Sequence, residues 1–129
     1  MAAEDLESLF QALGDRTRLR LLNLLAEGEI CVCYFVATLD EPQPKISRHL
    51  AYLRRMGLVS SRRDGKWIHY RIGTPEDPRA RRLLETVLDE MRNDPEMQAD
   101  VDSLRSACCA TRLPTAIGDA PRPILDSVR

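Results

Sequence analysis

The 129-residue sequence has few aromatic side chains, few histidines and no long apolar run. One tryptophan, three tyrosines and two phenylalanines are too few for a large aromatic binding platform. The longest apolar stretch, residues 30–39, is far shorter than the ~20 residues that a membrane-spanning helix needs. The sequence also lacks a glycine-rich phosphate loop and has only two histidines, His49 and His69. These absences argue against a membrane protein and against an enzyme.

The first residues are acidic and polar, and they lack the basic start and apolar stretch of a secretory signal. This favours a cytoplasmic protein. In that compartment, the four cysteines indicate metal binding or redox activity rather than structural disulfides. The length suits one domain with a substantial hydrophobic core.

Charge is segregated along the chain, although the net charge is only −1. Residues 41–73 carry eight basic and two acidic side chains, whereas acidic side chains predominate in residues 1–40 and 74–107. Contacts with phosphates need local positive charge rather than a basic protein as a whole. The basic middle is therefore compatible with DNA binding, and equally with a solvated basic surface.

Apolar spacing predicts four helices in the first half of the chain. The first covers residues 4–13, and the second, over 18–26, is apolar enough around its circumference to lie in the centre of the core. A short helix over 33–39, a turn and a helix over 43–56 follow. The last of these has a buried face formed by Ile46, Leu50 and Leu53.

The second half begins with a predicted β-hairpin. Strands over 58–63 and 67–72 flank an Asp-Gly pair, which is a strong turn signal. Two later Asp-Pro pairs, at 77–78 and 94–95, predict the beginnings of two more helices. Prolines and few apolar residues after Ala110 predict a flexible tail.

This order of elements predicts a mostly α-helical, winged helix-turn-helix fold with a small β-hairpin. The outward face of the helix over 43–56 is expected to meet base edges in the major groove, with the hairpin against the DNA backbone or minor groove. Arg48 suits a guanine edge and Gln43 an adenine edge. Each of these side chains alone is as easily a solvated surface residue, so the prediction depends on their arrangement. The candidate DNA-contacting residues are Gln43, Lys45, Ser47, Arg48, His49, Arg62, Arg63 and Lys66.

Four segments resemble the ArsR/SmtB family of bacterial metalloregulators, and in particular its arsenic-responsive members. They are LFQALGDRTRLR at 9–20, CVC at 31–33, QPKISRHL at 43–50 and GKWIHYR at 65–71. The resemblance implies a homodimeric repressor with its first and last helices at the dimer interface. It also implies a DNA-reading helix over 43–56 and a wing over 58–72.

The positions of the cysteines agree with that family only in part. Arsenic repressors often carry a third cysteine after the Cys-Val-Cys motif, but here Val36 stands in its place. A second pair, Cys108 and Cys109, resembles the C-terminal pairs of related arsenic sensors. The candidate ligands are therefore Cys31, Cys33, Cys108 and Cys109.

Soft thiolates favour trivalent arsenic or antimony as the inducer. Inorganic arsenite takes three sulfurs, whereas a methylated arsenical can be held by two. One cysteine pair with a thiol from the other, or one pair alone, can therefore form the site, and the C-terminal pair can come from the second subunit. Cys31 and Cys33 would point about 200° apart in a regular helix. Ligand binding is thus expected to distort the start of the third helix, which adjoins the DNA-reading helix.

The sequence thus predicts a winged-helix domain for DNA binding and dimerisation over 1–107, and a cysteine pair with a tail over 108–129. The expected partner is operator DNA with an imperfect inverted repeat, from which trivalent arsenic or antimony releases the protein. The alternatives are a repressor that switches by disulfide formation, a thiolate sensor of cadmium, lead or zinc, and a DNA-binding module with purely structural cysteines.

Overall fold

The computed structural model describes residues 5–109, 118 and 120–125, except for the side chain of Cys109. The helices in this part of the chain are α1 (Leu6–Leu13), α2 (Arg16–Leu25), α3 (Val32–Leu39), α4 (Gln43–Arg55), α5 (Pro78–Met91) and α6 (Pro95–Cys109). The strands are β1 (Gly28–Cys31), β2 (Val59–Asp64), β3 (Trp67–Ile72) and β4 (Ile124–Leu125). They form one antiparallel sheet in the order β2-β3-β1-β4.

The predicted winged helix-turn-helix is confirmed. Helices α3 and α4 form the helix-turn-helix, and β2 and β3 form the wing. Asp40 ends α3 in the left-handed conformation, with φ of 53°, which a short polar side chain tolerates better than most. The wing turns at Gly65, whose positive φ of 61° suits a tight hairpin.

Helix α2 lies at the centre of the core, as its apolar circumference predicts. Asp15 caps its N-terminus by accepting a hydrogen bond from the backbone N–H of Arg18 at 3.0 Å. Asn23 on α2 is buried and donates to the backbone carbonyl of Met97 on α6 at 2.9 Å. The predicted apolar face of α4 is also confirmed, because Ile46, Leu50 and Leu53 are fully buried.

Two ion pairs fasten α6 to the core. Arg20 on α2 holds Asp100 through two hydrogen bonds of 2.8 and 2.9 Å. Arg105 on α6 donates to Glu27, whose side chain is almost fully buried, at 2.6 Å. Helix α6 thereby covers α2 and α3, and its last turn carries Cys108.

Strand β1 is not predicted by the sequence, and it changes the setting of the first cysteine pair. Cys31 is the last residue of β1 and the N-cap of α3, with extended backbone at φ −74° and ψ 145°. Cys33 alone lies within the helix. The two cysteines therefore do not share a regular helix, and the distortion of α3 on ligand binding stays a prediction.

Strand β4 lies within the stretch for which the sequence predicts a flexible tail. Its two residues pair with β1; residues 110–117, 119 and 126–129 lie outside the described part of the chain, so the flexibility of the tail stays a prediction. Ala120 is 5% exposed and belongs to the core. Among the described residues, no helix combines the length and apolar character needed to cross a bilayer.

Candidate functional site

The outward face of α4 presents the candidate base-reading residues. Gln43 and Arg48 are exposed, and Ser47 is half-buried. The helix keeps this face turned outward because its opposite side is fixed in the core by its apolar stripe. A long donor such as Arg48 on such a face can reach a base edge.

Lys45 and His49 on α4 are engaged by the protein itself. The Lys45 ammonium pairs with the carboxylate of Glu41 at 3.0 Å. The Nδ1 atom of His49 lies 3.3 Å from a guanidinium nitrogen of Arg18, which also stacks on the ring of Tyr52 at 4.4 Å. Burial lowers the pKa of His49 below its ordinary value, so this imidazole is neutral at neutral pH and can accept from Arg18.

The wing residues also have partners within the chain. Arg62 donates to Glu29 on β1 through contacts of 2.6 to 3.0 Å, and this hydrogen bond lowers the pKa of the Glu29 carboxyl. Arg63 donates to the carbonyl of Gly65 at 3.2 Å. The Lys66 ammonium lies over the Trp67 ring at 4.9 Å. All three basic residues stay on the exposed part of the wing, where a DNA backbone is accessible.

Three thiols act electrostatically on the buried hydroxyl of Tyr34. This side chain is fully buried, and its hydroxyl has no hydrogen-bond partner among the described residues. Burial is the main cause that raises the pKa of the Tyr34 phenol; Arg122 opposes the rise and the neighbouring thiols add to it. These thiols belong to Cys31, Cys33 and Cys108, which we call the thiol cluster.

The cluster combines distant parts of the chain with different exposure. Cys31 is buried, whereas Cys33 and Cys108 are half-buried. Cys108 comes close because α6 packs against α3. Within the described part of the chain, no three His, Cys, Asp or Glu side chains are already arranged to hold a metal ion. The remaining candidate ligand, the side chain of Cys109, lies outside the described residues.

Residues 120–125, which we call the tail segment, contact the end of α6. The Sγ atom of Cys108 lies 4.0 Å from the carbonyl oxygen of Pro123. Arg122 donates a hydrogen bond to the backbone carbonyl of Cys108. The same segment reaches β1 through β4, so it touches both sequence regions that carry the thiols.

Comparison with known proteins identifies the family. The model of a family described as "Bacterial regulatory protein, arsR family" matches residues 15–61. An uncharacterized HTH-type transcriptional regulator of Methanocaldococcus jannaschii is 43% identical over 89 residues, which cover 68% of this chain and 96% of that protein. The chain belongs to the arsR family.

Other relatives of this arsR-family protein carry metalloid names. The arsenical resistance operon repressor of Escherichia coli is 57% identical over 65 residues, which cover 50% of this chain and 56% of the repressor. The crystal structure of the AntR antimony-specific transcriptional repressor superposes with a TM-score of 0.53 and 35% identity, covering 68% of this chain and 78% of that one. The chain spans 56% to 64% of the length of the arsenic-named curated relatives it matches.

Sequence reasoning missed three residues at the thiol cluster of this arsR-family protein. Tyr34 follows Cys33 directly, but nothing in the sequence indicates that its hydroxyl is buried with no hydrogen-bond partner in the described part of the chain. Arg122 and Pro123 lie in a proline-containing stretch that carries no sign of pairing. Their placement depends on β4, which comprises two residues.

Proposed function

We propose that this protein is a homodimeric transcriptional repressor that leaves its operator when trivalent arsenic or antimony binds its thiols. The observation that carries the proposal is that α6, which carries Cys108, packs against α3, which begins directly after Cys31, contains Cys33 and belongs to the helix-turn-helix. Soft sulfur donors favour these metalloids over hard cations. The names of the arsenic and antimony relatives point to the same class of ligand.

Arsenite capture by the thiol cluster is a ligand exchange without an oxidant. Three S–As bonds form and three As–O bonds break, and the three thiol protons leave with the three hydroxyl groups as water. A methylated arsenical has one As–C bond and exchanges only two hydroxyl groups. Cys109, adjacent to Cys108, offers a fourth thiol, so we propose all four cysteines as the ligand set from which the site is drawn.

Operator binding is proposed for α4 and the wing. Arg48, Gln43 and Ser47 would read bases, while the basic residues of the wing would contact phosphates, with Lys45 and His49 at the edge of the same surface. In a two-fold dimer, the two α4 helices would enter successive major grooves about 34 Å apart. An imperfect inverted repeat is the operator that this symmetry requires.

Dimerisation is proposed for the face shared by α1 and α5. The family resemblance implies the first and last helices instead, but the last described helix, α6, packs against α2 and α3. Leu6 and Phe10 on α1 are large apolar side chains that remain 43% and 54% exposed. Next to them is an open apolar groove of about 440 Å³, lined by Phe10, Leu83 and Val87 among others. A second copy of this face would bury these side chains and fix the distance between the two α4 helices.

The ligand signal has two short routes to the DNA-reading surface. Cys33 lies on α3, which packs against α4. Cys31 ends β1 directly opposite His69 of the wing strand β3, and Glu29 on the same strand holds Arg62. A change at Cys31 therefore shifts the wing without an intervening element. Coupling of about 1–3 kcal/mol, typical of allosteric proteins, lowers operator affinity about 5- to 150-fold.

Release from DNA tests the proposal. An operator is selected from randomised duplexes with the reduced protein, and its complex is followed by fluorescence anisotropy. Arsenite, antimonite, methylarsenite and cadmium are titrated with reductant, and peroxide without it. We expect the arsenic and antimony compounds to release the operator, and Cys31→Ser or Cys33→Ser to bind it normally without release.

The other outcomes separate the alternatives. No release of the fully reduced protein at saturating arsenite, methylarsenite and antimonite contradicts the proposal. Release by peroxide alone indicates a disulfide switch, and release by cadmium alone indicates a sensor of divalent metals. Normal release from both Cys31→Ser and Cys33→Ser, with loss in Cys108→Ser, would assign the site to the C-terminal pair.

A further inference from the structure

The tail segment connects the two regions that supply the thiols. On one side, β4 pairs with β1, with Leu125 opposite Gly28 and Ile124 opposite Glu29. On the other side, the preceding residues hold the last turn of α6, since Arg122 donates to the Cys108 carbonyl and Pro123 contacts the Cys108 thiol. Strand β1 ends at Cys31, so one short segment bridges Cys31 and Cys108.

The close approach of the tail segment to β1 requires a glycine at position 28. A Cβ atom at this position would lie 2.1 Å from the carbonyl oxygen of Ile124 and 2.8 Å from the Cα atom of Leu125. Both are backbone atoms, so neither can rotate away as the end of a side chain can. Its φ of +151° also lies in a region that only glycine adopts readily. Gly65 in the wing also has a positive φ, but a Cβ there would meet nothing within 4 Å.

The tail segment has buried residues of its own. Ala120 is 5% exposed and belongs to the core, and Pro123 is buried. Arg122 and the thiol cluster are electrostatic neighbours of the same Tyr34 hydroxyl.

We infer that the tail segment is a positioning element of the thiol cluster: paired with β1, it holds Cys108 in reach of Cys31 and Cys33, so that three sulfurs can close on one metalloid. This inference rests on the proposed function. Without the pairing, Cys108 loses its contacts with Arg122 and Pro123, and only the local pair on β1 and α3 remains in place. Loss of supporting contacts around ligands costs about 10- to 100-fold in affinity.

Gly28→Ala in the full chain tests the inference, with Gly65→Ala as the matched control for adding a Cβ at a glycine of positive φ. We expect Gly28→Ala to weaken arsenite binding about 10- to 100-fold, with operator affinity in the absence of arsenite within two-fold of the parent. Gly65→Ala should leave arsenite binding unchanged. Arsenite affinity is measured by calorimetry on the reduced protein.

A second readout does not depend on any metalloid. In a Cys31→Ser, Cys33→Ser, Cys109→Ser background, the one remaining thiol is Cys108, and its rate of reaction with an aromatic disulfide reagent reports its accessibility. We expect Gly28→Ala to raise this rate several-fold and Gly65→Ala to leave it unchanged. A raised rate in this background, combined with no arsenite binding by the parent protein with all four cysteines, would retain the positioning role and reject the proposed function.

Equal rates and equal arsenite affinities in the two glycine variants would overturn the inference and leave the proposed function intact. If circular dichroism shows that Gly28→Ala does not fold, Arg122→Gln decides instead. It should raise the Cys108 reaction rate and weaken arsenite binding, and Arg122→Lys, which keeps a charged donor, should restore both. An Arg122→Gln protein that matches the parent in both measurements would equally overturn the inference.

Discussion

Arg20 and Asp100 tie α6, and with it Cys108, to the central helix α2. The two hydrogen bonds are 2.8 and 2.9 Å long, and the Asp100 side chain is 8% exposed against 22% for Arg20. Arg20→Ala leaves the buried carboxylate without its partner, a change that costs about 3–5 kcal/mol. Because Arg20 is partly in water, we expect about 3 kcal/mol, the lower end of that range.

Arg16→Ala is the matched control, because Arg16 also links α2 to α6. It contacts Asp94 at 3.4 Å and Glu96 at 3.1 Å, but its side chain is 49% exposed. Pairs exposed to this degree contribute little to stability. Urea unfolding followed by circular dichroism should therefore show a much larger loss of stability for Arg20→Ala than for Arg16→Ala.

A double variant separates the stranded charge from lost packing. Arg20→Met combined with Asp100→Leu removes both charges and keeps apolar bulk, so it should recover most of the stability lost in Arg20→Ala. If Arg20→Ala and Arg16→Ala lost equal amounts of unfolding free energy, the burial of the Arg20–Asp100 pair would not be what makes it stabilising. A double variant as unstable as Arg20→Ala would refute the argument from the uncompensated carboxylate.

Three further predictions concern α4 and the wing. Arg48→Ala should weaken operator binding by about 1–3 kcal/mol and relax base preference, whereas equal losses on operator and scrambled duplexes would make Arg48 a phosphate contact. Glu29→Gln removes the carboxylate that pairs with Arg62 and so makes this guanidinium available to a phosphate. The slope of log K for operator binding against log salt concentration should then steepen by about one. An unchanged slope would show that Arg62 reaches no phosphate. Burial lowers the pKa of His49, so the unfolded chain takes up its proton first and stability falls as pH drops through about 6.5. Urea unfolding at several pH values should show a smaller fall in stability for His49→Gln than for the parent protein. An identical fall in the two proteins would contradict a lowered pKa of His49.

Local signals explain why most of the fold could be predicted. The spacing of Ile46, Leu50 and Leu53 fixes the buried face of α4, the Asp15 cap marks the beginning of α2, and an Asp-Gly pair marks the wing turn. Strand β1 carries no such signal, because four residues are too few for a readable alternation. It exists because β3 and β4 pair with it, and these partners are distant in the sequence.

The candidate site also has some features that the sequence predicts and others that depend on distant packing. The chemistry of sulfur singles out the cysteines, but the burial of Tyr34 and the approach of Arg122 depend on how α6 and the tail segment pack. The basic residues were readable as a group, although their individual partners mostly were not. Even Lys45 pairs with a residue outside its helix, because Glu41 precedes the beginning of α4. Arg62 finds Glu29 only once β1 lies beside the wing.

The central claim is that a metalloid held by the thiols lowers affinity for the operator. The most direct measurement is the dissociation constant of the reduced protein for its selected operator, with and without saturating arsenite, on samples whose bound arsenic is counted by mass spectrometry. We expect the dissociation constant for the operator to rise about 5- to 150-fold when arsenic is bound. An unchanged constant, with arsenic present on the protein, would contradict it.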